Sequence, residues 1–209
     1  MRTINFHYGA SGGATITNNG HSLVVTPAAG NSVEIGGETY RLARFHFHTP
    51  SEHLSEGSHD PMEMHLVHVD AAGNPKLVVG ILIDDHLMEG DTPNAINNPK
   101  ASRLLDGLVL PAHKGDRLAI TGNINLMDLM PVAFERHRGE HIEYKGSLTT
   151  PSCSEALTWI AMFYRLHTTP EVIAKFHKTM GDNYREAQPI NGRRILCCGG
   201  GSSEVFNGK

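Results

Sequence analysis

Residues 38–69 read ETYRLARFHFHTPSEHLSEGSHDPMEMHLVHV, and the fold turns on this stretch. Two runs with strand character, ETYRLARFHFH and MEMHLVHV, flank a loop rich in Ser, Glu, Gly and Pro. Side chains alternate across an extended chain, so His46 and His48 project from one face while Phe45 and Phe47 project from the other. In the second run Glu63, His65 and Val67 share one face, and Met64, Leu66 and His68 share the opposite one. If the two runs pair as antiparallel neighbours, His65 completes a three-imidazole set with His46 and His48. Three neutral nitrogen ligands leave the fourth tetrahedral position for water, which is the arrangement of a catalytic zinc rather than a structural one. Imidazole ligation without thiolate or a redox partner suits zinc best. A histidine pair on a strand also fits an ordinary half-polar face, and the spacing alone leaves both readings open. His53 and His59, in the intervening loop, read as surface or hydrogen-bonding residues.

Outward from this centre the chain continues in short alternating runs. Residues 14–48 pass through ATIT, HSLVVT and SVEI, broken by NNG, PAAGN and GG, and such Asn-Gly and Gly-Gly breaks predict hairpins rather than βαβ units. Strand patterns recur at 76–83, joined to MEMHLVHV through AAGNP, and at 117–126. Helical signals are fewer. PEVIAKFHKTM (170–180) carries Pro170 in its first turn, apolar residues at helical spacing and Gly181 as its stop. NAINNPKASRLL (94–105) is a second candidate, interrupted by Pro99. The closing GGGSSEVFNGK, residues 199–209, reads as a frayed tail. The expected class is mainly β with peripheral helices (α+β).

Composition narrows the function. With 209 residues, 39% of them apolar, the chain is expected to form a single domain over 1–209. A net charge of −4 without a Lys/Arg cluster gives no footprint for nucleic acid. No apolar run is long enough for a membrane span, and the first twenty residues lack the apolar core of a secretory signal. Three cysteines, Cys153, Cys197 and Cys198, are too few for a disulfide scaffold.

The segments FHFHTPSEH, EMHLVHV, YKGSLTTPSCSEALTW and DNYREAQPINGR, in that order, resemble the α-class carbonic anhydrases of bacterial type. The resemblance runs from about Asn5 to Arg194. It implies a central twisted, mostly antiparallel sheet of about ten strands, a Zn2+ ion in a conical cleft, and reversible hydration of carbon dioxide to bicarbonate. By the same resemblance the zinc ligands fall on His46, His48 and His65. Thr149 is the residue that orients the zinc hydroxide and Glu52 its partner. The pocket for carbon dioxide falls on Val67, Val78, Leu148, Leu157 and Trp159, with Thr150 contacting bicarbonate. His21, in the NNGH motif, is the proton shuttle. Glu63 orients His65, and the Asn183 carbonyl orients another ligand. The resemblance also allows a homodimer and suggests a periplasmic or secreted setting, for which the chain carries no address.

Four departures accompany the resemblance. The Trp-Gly-Tyr and Gln-Ser-Pro-Ile motifs of relatives do not occur before Asn5, and the expected effect falls on proton transfer and stability more than on metal binding. Cys153 matches a cysteine that pairs with an N-terminal partner in exported relatives and is expected here as a free thiol. Arg44 stands where relatives place a glutamine, and as a donor-only side chain it cannot accept the His46 N–H. Ser152 replaces the second proline after Thr149 and Thr150. Two other functions compete: a non-catalytic zinc-binding module of the same fold, and a zinc hydrolase or esterase, against which stands the lack of an HExxH helix.

Overall fold

The computed structural model describes residues 4–85, 98–131, 140–199 and 202–207. In chain order the N-terminal strands are β1 (Ile4–His7), β2 (Ala10–Gly12), β3 (Thr15–Asn18), β4 (Leu23–Thr26), β5 (Ser32–Ile35) and β6 (Glu38–His48). β7 (Leu54–Ser55), β8 (Ser58–His59), β9 (Met62–Val69) and β10 (Pro75–Asp84) follow. After helix α1 (Pro99–Gly107) come β11 (Arg117–Ala119), β12 (Asn123–Asn125), β13 (His141–Gly146), β14 (Leu157–Met162) and β15 (Leu166–His167). Helix α2 (Pro170–Met180) precedes the last pair, β16 (Arg194–Gly199) and β17 (Ser202–Asn207).

Among the described residues one sheet of 13 strands dominates, its main path running β11-β3-β4-β6-β9-β10-β14-β13-β16-β17. Most neighbours are antiparallel, as expected, but β10 pairs in parallel with both β14 and β15. The Gly-Gly break behaves as anticipated: Gly36 and Gly37 both have positive φ, the requirement of a tight two-residue hairpin, between β5 and β6. Every residue of β9 is buried, because the strand lies mid-sheet with both faces covered. Phe45, Phe47, Met64, Leu66, Val79 and Ile81 point to the main core, and α2 closes that side by setting Phe176 against Phe47 at 4.8 Å between ring centroids. Each such fully buried side chain contributes about 1.5–3 kcal/mol relative to exposure.

Three expectations are corrected. Pro99 does not interrupt the first helix but begins it: the Asn98 side chain accepts from the Ala101 N–H at 3.1 Å, and a proline in the first turn has no intrahelical bond to lose. Residues 94–97 of that candidate lie outside the described residues. The run 117–126 is two short strands, β11 and β12, because Gly122 turns the chain at a φ of 86°. The tail is paired rather than frayed, with β16 and β17 in register from Arg194 opposite Asn207 to Gly199 opposite Ser202.

Candidate metal centre

The register of β6 against β9 sets the centre. His46 lies directly opposite His65, and His48 opposite Glu63. The three imidazoles meet with ring centroids 5.0, 5.3 and 4.7 Å apart. One nitrogen from each lies within 4.8 Å of the other two. Burial, then the other imidazoles, holds His46 well below its ordinary range and pushes His48 down to about 4. Both are therefore neutral at pH 7, with lone pairs available to a metal.

Two of the three rings, His48 and His65, meet a polar group on the side away from the cluster. His48 Nδ1 donates to the Asn183 carbonyl at 3.1 Å, while its Nε2 is buried without a hydrogen-bond partner. His65 Nε2 sits 2.9 Å from Glu63 Oε1, a charge contact without hydrogen-bond geometry. Glu63, 1% exposed, also accepts from the backbone N–H groups of Glu52 and His53 at 2.8 and 2.9 Å and contacts His53 Nδ1 at 2.5 Å. Burial alone would raise its carboxyl, but the His53 and His65 imidazoles outweigh this and hold it well below the usual carboxylate range. An anionic partner on the remote nitrogen fixes the ring and strengthens the ligand.

His53 does more than was expected of it. Its Nε2 shares a 2.7 Å hydrogen bond with the Tyr144 hydroxyl, so β9, the loop and β13 are tied together through one imidazole. Asn183 likewise contributes its side chain as well as its carbonyl. Oδ1 accepts from Thr49 N at 2.8 Å, and Nδ2 donates to the carbonyls of His21 and Phe47 at 2.7 and 3.1 Å. Helix α2 ends at Gly181, whose φ of 65° turns the chain and delivers Asn183 beside β6.

Glu52 is buried beside the triad. Its Oε1 accepts from Arg185 N at 2.8 Å, and its Oε2 has no hydrogen-bond partner. Thr149 and Glu52 line one cavity of about 430 Å3 together with Trp159. Among the described residues Thr149 makes no hydrogen bond to Glu52, so Oε2 remains an open acceptor. Val67, Val78, Leu157 and Trp159 gather with Leu148 into an apolar cluster separate from the main core, and Trp159 lies 4.7 Å from His65 between ring centroids. Leu148 N donates to Ser154 O at 2.9 Å, closing the loop that holds Thr149 and Thr150; Thr150 is exposed. His21 is also exposed and does not line the cavity; its carbonyl is joined to the centre through Asn183.

The donor set fits zinc. Three imidazoles converge, and an apolar wall and an open carboxylate acceptor stand beside them. Residues 1–198 match the family described as eukaryotic-type carbonic anhydrase. A carbonic anhydrase of Pectobacterium atrosepticum is 32% identical over 187 residues, covering 89% of this chain and 70% of that relative. One from Neisseria gonorrhoeae is 32% identical over 183 residues, 87% of this chain and 66% of its own length. Among solved structures, the Photobacterium profundum α-carbonic anhydrase superposes with a TM-score of 0.78 at 30% identity, over 92% of this chain and 81% of its own. The Thermovibrio ammonificans α-carbonic anhydrase in complex with the inhibitor sulfanilamide gives 0.78 at 33% identity, over 92% and 78%.

Proposed function

The chain belongs to the eukaryotic-type carbonic anhydrase family, and on that premise we propose that it hydrates carbon dioxide reversibly at a Zn2+ ion held by His46, His48 and His65. The observation that carries the reading is the convergence of three imidazole nitrogens, with His48 backed by the Asn183 carbonyl and His65 by the Glu63 carboxylate. Zinc, when bound, makes a coordinated water acidic enough to furnish hydroxide near neutral pH, a property for which carbonic anhydrases are themselves the standard example.

The chain's own residues supply the rest. Glu52 Oε1 is committed to Arg185 N, leaving Oε2 to accept the single proton of the Thr149 hydroxyl. Thr149 then presents only lone pairs to the attacking oxygen, which must donate its proton to Thr149 and aim its own lone pair at the substrate. Carbon dioxide is small, uncharged and apolar, so the cluster of Val67, Val78, Leu148, Leu157 and Trp159 is a suitable surface for it. Thr150, exposed at the rim, contacts bicarbonate on departure. His21 relays the proton to solvent, its exposed imidazole carrying nitrogens that can accept and donate a proton. The whole chain acts as one domain, and the same cleft accepts sulfonamides of the sulfanilamide kind. The test is metal analysis with stopped-flow carbon dioxide hydration of the wild type and of His65→Ala.

A further inference from the structure

The opposite face of the sheet carries a second group of ligand-type side chains. On β13, His141 and Glu143 are two residues apart and share a face; on β16, Cys198 lies directly opposite His141 and therefore shares it too. Ile142, Tyr144 and Cys197 point the other way, toward the cavity side, so the adjacent Cys197 and Cys198 do not act as a vicinal pair. His141, Glu143 and Cys198 are 4%, 7% and 9% exposed, and one ligand atom from each lies within 4.8 Å of the other two. Across the sheet, Met162 stands opposite His141 and Ile160 opposite Glu143, both buried, so the group sits against apolar neighbours.

We propose that His141, Glu143 and Cys198 form a second metal site, separate from the histidine triad, for a borderline-soft divalent cation of the zinc class. An imidazole nitrogen, a carboxylate oxygen and a sulfur together select such a cation. Calcium and magnesium require oxygen ligands, whereas zinc takes nitrogen, sulfur and oxygen in a tetrahedral set. Burial, with the Glu143 carboxylate and Cys197 beside it, pushes the Cys198 thiol up. The metal-free site therefore holds its thiol proton, and metal uptake releases it. Bound there, the ion clips β16 to β13 and holds the C-terminal hairpin on the sheet, which stabilises the folded state through linkage.

Cobalt titration of the reduced, metal-free full chain tests this, because thiolate ligation gives a near-ultraviolet sulfur-to-cobalt charge-transfer band that a three-histidine site cannot give. The site predicts two equivalents of cobalt, with that band rising during the titration. It further predicts that the band and one equivalent are lost in Cys198→Ser while Cys197→Ser and Cys153→Ser retain both. A wild-type titration that ends at one equivalent without the band overturns the proposal without recourse to any variant. So does a band that survives in a folded Cys198→Ser or His141→Ala. Either failure leaves the triad reading intact, since the triad's own equivalent is thiolate-free.

Discussion

The triad histidines differ in how they are held, and the difference lies in single side chains. His65 is backed by a buried carboxylate, whereas His48 is backed by a carbonyl whose position depends on the Asn183 side chain. Asn183→Ala removes bonds to Thr49 N and to the carbonyls of His21 and Phe47. The expected loss in urea unfolding of the metal-free protein is about 1–3 kcal/mol, chiefly from leaving the buried Thr49 N–H without its acceptor, since the Phe47 carbonyl keeps its bond from Ser22 Oγ; an unchanged midpoint would show that the hub is not structural. The pair of His46 and His48 on one face was legible from strand alternation alone, whereas His65 joined it only on the condition that the two runs pair, which the β6–β9 register meets. His53 was not. It sits in a loop with no period, and its role depends on Glu63 arriving from another strand and Tyr144 from a third.

At the scale of elements, strand packing around Glu63 leaves no room for a side chain at Gly80. This residue on β10 lies opposite His65, and a Cβ there would fall 2.9 Å from Glu63 Oε1 and 3.4 Å from His53 Cε1. Gly80→Ala is expected to displace the carboxylate and lower zinc affinity by about 10–100-fold, the usual effect of disturbing a ligand's hydrogen-bond partner. Chelator competition measures this, and undiminished affinity would remove Glu63 from its assigned role. Helix α2 followed from its apolar spacing, Pro170 and Gly181. The α1 boundary did not, because periodicity cannot say whether Pro99 breaks a helix or starts one; the Asn98 cap decides it. The C-terminal hairpin was hidden in the sequence by flanking glycines and serines, because SSEVFN has no apolar alternation and only its pairing with Arg194–Gly199 defines it.

For the molecule as a whole, burial sets a pH limit on stability. His68 on β9 faces the main core, shares a 2.8 Å hydrogen bond with the Tyr8 hydroxyl, and is pushed down to about 3 by burial. Between that value and about 6.5 the unfolded chain binds a proton at this position that the folded chain does not. Stability therefore falls as pH drops through this window, by on the order of a few kcal/mol. In metal-free protein, His68→Leu should flatten the acid side of the stability curve measured by denaturant unfolding; an equally steep curve would assign the acid sensitivity to other groups. The global architecture was only partly legible. Hairpins are local and announce their turns, but the parallel pairing of β10 with β14 and β15 joins segments far apart in sequence, which no local pattern specifies. The same distant assembly brings Trp159 beside His65 and packs Leu148 into the apolar cluster next to the triad. The most direct measurement of the central claim is stopped-flow hydration of carbon dioxide by protein carrying stoichiometric zinc at the triad. The wild type is expected to exceed the buffer rate, with His65→Ala losing both the triad zinc and the acceleration; a zinc-loaded wild type no faster than buffer would contradict it.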